Sequence, residues 1–129
     1  MKKKLTPEQI EQMAKEIRSF LLENEMWVDT TIYFNGKAYS TSDKENKNFY
    51  YNGPEHLVEF EDDPRRYFEY VGEILSMSFE GPLCDCINGY GTYRRSFERK
   101  IVDGLGAIFK KYGCYCELGH HWNLTLFYL

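Results

Sequence analysis

The chain has 129 residues, 43% apolar, 17% aromatic and 28% charged, with a formal net charge of −4. A chain of this length buries roughly two thirds of its unfolded surface in one core, and its composition excludes disordered, fibrous and membrane-spanning classes. Lys2, Lys3 and Lys4 are followed by Thr6, Pro7, Glu8 and Gln9 where the apolar part of a secretory signal would stand, and no apolar run approaches the ~20 residues that cross a bilayer. The expectation is a cytoplasmic protein whose four cysteines are reduced.

Helix signals come first. Thr6 as N-cap, Pro7 at the first helical position and Gln9 closing a capping box start a helix, with Leu5 placed to staple onto Ile10. Ile10, Met13, Ile17 and Leu21 form one apolar stripe beside Phe20, opposite a solvated face of Glu8, Glu11, Lys15 and Arg18. From Trp27 to Phe34, alternate residues Val28, Thr30, Ile32 and Phe34 share a side, and Asn35-Gly36 follows. That dipeptide predicts a two-residue hairpin turn pairing Phe34 with Lys37 and Ile32 with Tyr39. Ser42 to Asn48 reads as a mobile polar loop, and Phe49 to Tyr51 as a short strand broken by Asn52-Gly53-Pro54.

Glu55 to Phe60 fits either a short strand or one helical turn. Asp63-Pro64 is an N-cap and first-turn pair, which predicts a short helix to about Val71. Ile74 to Glu80 reads as a strand, while residues 82–89 suit a short helix or further strand. Thr92 stands where it caps a helix running to Tyr112, ending in Lys110 and Lys111 and stopped by Gly113. Phe97, Ile101, Leu105, Ile108 and Tyr112 are its buried stripe; Gly104 and Gly106 cost about 1 kcal/mol each and imply a kink or a close backbone approach. A terminal hairpin with the loop Gly119, His120 and His121 pairs Leu118 with Trp122, Cys116 with Leu124 and Cys114 with Leu126, so that every apolar residue shares a face. The fold class expected over residues 1–129 is a single α+β domain: a mainly antiparallel sheet of about five strands, packed against two long helices plus one or two short ones. The 11 tyrosines then belong mainly to a sheet-based core.

Charge is unevenly placed. Residues 55–85 carry nine acids against two arginines, whereas residues 86–113 carry six basic residues against two acids. Within the acidic block, Glu59, Glu61, Asp62 and Asp63 are the densest run and the candidate partner-binding residues, because an acid field steers cationic surfaces and repels DNA itself. The expected partner is a protein with a basic surface. Arg94, Arg95, Arg99 and Lys100 are the only phosphate-contacting patch, and the acidic net charge argues against direct nucleic-acid binding.

Two Cys-x-Cys motifs, Cys84-Asp85-Cys86 and Cys114-Tyr115-Cys116, stand with His120 and His121 as the residues able to carry chemistry. Structural zinc sites usually separate paired cysteines by two to four residues, so this spacing favours core thiols over metal ligands. Nucleophilic catalysis needs a Cys or Ser beside a His and an orienting group; alternation sends Cys116 and Glu117 to opposite faces. No glycine-rich phosphate loop, paired His-Glu metal motif or nucleophile elbow is present, and no cofactor is expected. The alternative function is a metal-binding or Cys/His-dependent enzyme.

The segments Ser76 to Asn88 and Lys111 to Asn123 resemble parts of small acidic proteins carried on conjugative elements and prophages of Gram-positive bacteria. The resemblance implies no catalytic residue. It implies a setting in which small acidic proteins act by binding, including as inhibitors of DNA-handling defence systems. The function expected is therefore that of a small non-enzymatic interaction protein of a mobile genetic element, binding a basic, nucleic-acid-handling protein through its acidic segment.

Overall fold

A computed structural model describes residues 4–43 and 48–129. In chain order its first half contains α1 (Pro7–Glu23), β1 (Thr30–Phe34), β2 (Lys37–Ser40), β3 (Ser42–Asp43), β4 (Asn48–Phe49) and β5 (Val58–Glu61). A 3-10 turn (Pro64–Arg66), β6 (Leu75–Phe79), α2 (Pro82–Asn88), α3 (Arg95–Lys111), β7 (Cys114–Leu118) and β8 (Asn123–Tyr128) follow. The main sheet has six strands in the order β5-β2-β1-β6-β8-β7, and each neighbouring pair is antiparallel. The class is α+β; the main sheet has one strand more than the sequence suggested, and β3 and β4 form a separate two-stranded sheet. No helix among the described residues is long and apolar enough to cross a membrane.

The capping box forms as expected. The Gln9 N–H donates to Thr6 Oγ1 at 3.2 Å and the Thr6 N–H donates to Gln9 Oε1 at 2.9 Å. Ile10, Met13, Ile17 and Leu21 are buried in a core shared with Ile32, Phe34, Met77, Phe79, Leu124 and Leu126 of the sheet and Ile101, Leu105 and Phe109 of α3. The helices thus cover one face of the sheet. The β1–β2 register pairs Phe34 with Lys37 and Ile32 with Tyr39, as the Asn35-Gly36 turn requires.

The opposite face is only partly covered. The chain from Asp62 to Glu73 crosses it, and Phe68 packs there on Tyr33 and Ala38, flanked by Phe60, Val71 and Trp122. The crossing runs close to the sheet at Gly72, whose N–H donates to Thr125 Oγ1 at 2.6 Å. A Cβ on Gly72 would stand 2.9 Å from the Leu126 carbonyl oxygen, so only glycine fits this approach.

Several expectations are corrected. The helix predicted from Pro64 to Val71 stops after Arg66, because Phe68 is drawn out of helical spacing onto Tyr33 and Trp122. Thr92 does not cap α3; the N-cap is Arg94, without a side-chain hydrogen bond, while Tyr93 packs on Phe97 ahead of the first turn. The stretch read as a polar loop pairs at its ends, Ser42 with Phe49 and Asp43 with Asn48; residues 44–47 of that expectation lie outside the described residues. Residues 82–89, left open by the sequence, fold as α2 (Pro82–Asn88) with Gly89 as its cap; of Glu55 to Phe60, residues 58–60 belong to the strand β5, and Glu55 to Leu57 form the turn and connection before it.

The terminal hairpin slips by two residues, pairing Leu118 with Leu124, Cys116 with Leu126 and Cys114 with Tyr128. Trp122 leaves the ladder to stack on His120 and meet Phe68 edge-on. A two-residue shift preserves which face each side chain points to, so Leu124 and Leu126 remain buried. Cys116 and Leu118 do not, since β7 is the sheet's edge.

Candidate protein-interaction site

Alternation along Val58-Glu59-Phe60-Glu61 builds the site. Phe60 turns towards the small core around Phe68, which leaves Glu59 and Glu61 on the helix-bearing side, opposite Tyr39 and Lys37. Both glutamates are exposed. The Asp62 N–H donates to the Gly36 carbonyl at 3.3 Å, which makes Gly36 and Asp62 a hydrogen-bonded pair. In an antiparallel ladder such pairs alternate. Phe60 and Val58 therefore spend their backbone groups on β2, while Glu59 and Glu61 turn their N–H and C=O outwards from the sheet.

A cleft of 610 Å³ runs beside this outer edge, lined by His56 to Glu61 with Asp43 and Tyr50 as the other wall. Tyr50 and His56 stack at 4.5 Å between ring centroids. Arg18 fixes the base of this wall, its Nη2 donating to the carbonyls of Gly53, Pro54 and His56 at 3.3 to 3.4 Å. A second hollow of 470 Å³ lies round the corner, where Glu61, Asp62, Asp63 and Glu73 face Arg65 and Arg66.

The four acids of the run have different duties. Glu59 Oε1 accepts from Lys37 Nζ at 2.9 Å, and the same ammonium reaches Glu11 Oε1 at 2.7 Å. Asp62 is buried and accepts from the Tyr67 hydroxyl at 2.9 Å and from the Asp63 N–H at 2.9 Å. Asp63 caps the 3-10 turn by accepting the Arg65 N–H at 2.9 Å. Asp62 and Asp63 thus shape the corner. Glu61 makes no ion pair among the described residues, and it is the acid best placed to meet a partner.

The cysteines and histidines are not assembled into a site. Cys84 Sγ lies 3.4 Å from the His121 carbonyl oxygen, Cys86 Sγ lies 3.9 Å from Met26 Sδ, and Cys114 Sγ lies 3.6 Å from the Tyr112 carbonyl. Burial pushes all four thiols up, Cys86 to about 11, which disfavours the reactive thiolate. No group of three or more His, Cys, Asp or Glu able to hold a metal exists among the described residues. The basic residues Arg94, Arg95, Arg99 and Lys100 are exposed at the start of α3. Since α3 packs over β7 and the acids lie on β5, the two charge patches lie towards opposite edges of the sheet.

Sequence reasoning found the acids but not the edge that displays them, because strand order is set by pairings distant in sequence. Comparison with family models, with curated proteins and with solved structures finds no match.

Proposed function

We propose that this chain is a small non-enzymatic interaction protein of a mobile genetic element that acts in the cytoplasm. Its acidic segment, Glu59 to Asp63, binds a protein with a basic surface, of the kind that handles nucleic acid. The observation that carries this reading is the outward edge of β5. Glu59 and Glu61 there combine negative side chains with unpaired backbone donors and acceptors beside an open cleft. An extended partner segment alternating basic and apolar residues meets both features, pairing its backbone with β5 and its cations with the two glutamates. The resemblance to small acidic proteins of conjugative elements and prophages supports the biological setting.

The test is capture of partners from a Gram-positive lysate at low and at high salt, with the natural chain and with Glu61→Lys. The reading expects a basic protein that is held at low salt, released at high salt and lost in the variant. Failure to recover any partner, or recovery that is indifferent to both salt and Glu61→Lys, contradicts it.

A further inference from the structure

The two edges of the sheet are not equivalent. Glutamates alternate along β5, whereas β7 reads Cys-Tyr-Cys-Glu-Leu, with a single charge and no proline. Natural sheets block such edges with charges, prolines or bulges because unpaired strands recruit others. Tyr115 is 41% and Leu118 45% exposed, and Cys116 is exposed as well. The geometry points to a second copy of this chain as the occupant: β7 pairs antiparallel with β7 of its partner about a two-fold axis at Cys116.

Backbone direction comes first. The Gly119 N–H donates to the Asn123 carbonyl at 3.1 Å and the Leu129 N–H to the Gly113 carbonyl at 2.9 Å. These pairs bracket β7, so by alternation Tyr115 and Glu117 are bonded to β8 while Cys114, Cys116 and Leu118 present their N–H and C=O outwards. Those three positions are symmetric about Cys116. A two-fold axis there sets Cys116 opposite Cys116 of the second copy and Cys114 opposite Leu118, which is an unbroken ladder with every outward group paired.

Charge agrees with this register. On the sheet's other face the axis places Glu117 opposite Tyr115 of the second copy, so the edge's one acid never faces itself. Within a single chain the Tyr115 hydroxyl already donates to Glu117 Oε2 at 3.1 Å, and the pairing repeats this chemistry between copies.

The helix above the edge leaves room. Gly104 abuts Phe20, and Lys111 Nζ binds Glu16 Oε1 at 2.9 Å, which marks the flank of α3 that faces α1. Ile101, Leu105 and Phe109 face the sheet. Helical geometry then puts Val102 and Gly106 on the flank away from α1, over the β7 edge. Val102 is 42% exposed, and a Cβ on Gly106 would meet nothing within 4 Å. Two copies of α3 can approach there at the small residues, with the exposed Arg99 and Lys110 at the rim of the seam. This pairing is independent of the β5 reading and leaves that edge open.

Sedimentation of the full chain across micromolar concentrations tests it. The natural chain is expected to form a concentration-dependent dimer. Cys116→Pro, which removes an outward N–H that β8 does not use, is expected to be monomeric and to melt as the natural chain does when dilute enough to be monomeric. Leu118→Lys gives the same readout through an exposed side chain should the proline variant not fold. A short bis-maleimide is expected to link natural chains as dimers through Cys116 and to fail on Cys116→Ser, which still sediments as a dimer. A monomer at every concentration, a dimer of full strength in both Cys116→Pro and Leu118→Lys, or assembly beyond the dimer overturns the proposal.

Discussion

Lys37 Nζ and Glu59 Oε1 lie 2.9 Å apart across the β2–β5 pair. The same ammonium lies 2.7 Å from Glu11 of α1, so one cation fastens the edge strand to its neighbour and to the helix above. Hydrogen bonds to Glu11 and then Glu59 raise Lys37 well above its ordinary value. Glu59 is therefore partly committed to the fold, whereas Glu61 opposite Lys37 is not. Replacing Glu61 by Lys is expected to leave stability within about 0.5 kcal/mol while abolishing partner capture. Glu59→Lys is expected to cost up to about 1 kcal/mol through the lost surface ion pair, as well as binding. Urea unfolding of the two variants separates the effects; equal stability losses contradict the division of roles.

Acid is expected to loosen α1 before other elements. Hydrogen bonding to Lys37 lowers the Glu11 carboxyl below its ordinary 4.5, and hydrogen bonding to Lys111 does the same for Glu16. A lowered folded value means stability that is present above 4.5 and lost as the pH falls through the folded values. For Lys37 the sign is opposite: its contribution is present below 10.5 and lost as the pH rises through the raised folded value. Thermal melts are expected to be flat near neutrality and to decline in acid, with a shallower decline in Glu11→Gln and Glu16→Gln. An unchanged acid slope in both variants contradicts the assignment.

Thiol reactivity is expected to divide three to one, since Cys84, Cys86 and Cys114 are buried and Cys116 is exposed. In dilute native protein a maleimide is expected to modify Cys116 alone, with the other three reacting on unfolding. Mass spectrometry of labelled peptides reads the result. Rapid native labelling of Cys86, held at about 11 by burial, contradicts the packing of α2.

Gly104 is a packing glycine. A Cβ there would stand 2.3 Å from Phe20 Cζ, so it is a side chain rather than a backbone that approaches α3. Gly104→Ala is expected to cost about 1 to 2 kcal/mol, with overpacking outweighing the roughly 1 kcal/mol gain in helix propensity. Phe20→Leu in the same chain is expected to recover part of that loss, giving a non-additive double-mutant cycle. Strict additivity contradicts a Phe20–Gly104 contact.

What could be read in the sequence was local. The capping box at Thr6 and the Asn35-Gly36 turn each act within four residues, and both the helix start and the β1–β2 register follow from them. The failures have non-local causes. Phe68 and Trp122, 54 positions apart, pack together; the contact shortens the helix after Pro64 and moves the last hairpin by two residues. Burial of Cys116 was inferred from its alternation with Leu118 and Cys114, which correctly places all three on one face. Alternation does not reveal that β7 lies at the edge, where Cys114 is buried under α3 while Cys116 and Leu118 stay exposed. The acids Glu59 to Asp63 stood out by density, yet their division into edge-displayed Glu59 and Glu61 and corner-building Asp62 and Asp63 depends on pairing with β2 and on the turn after Asp63.

Hydrogen exchange at the Glu59 and Glu61 amides tests the central claim most directly. Both N–H groups point out of the sheet in the unbound chain, so they exchange quickly there. Binding of the captured basic partner by strand addition is expected to slow both amides while Val58 and Phe60, already bonded to β2, change little. Protection confined to α3 or to β7, with Glu59 and Glu61 exchanging as before, contradicts recognition through the acidic edge.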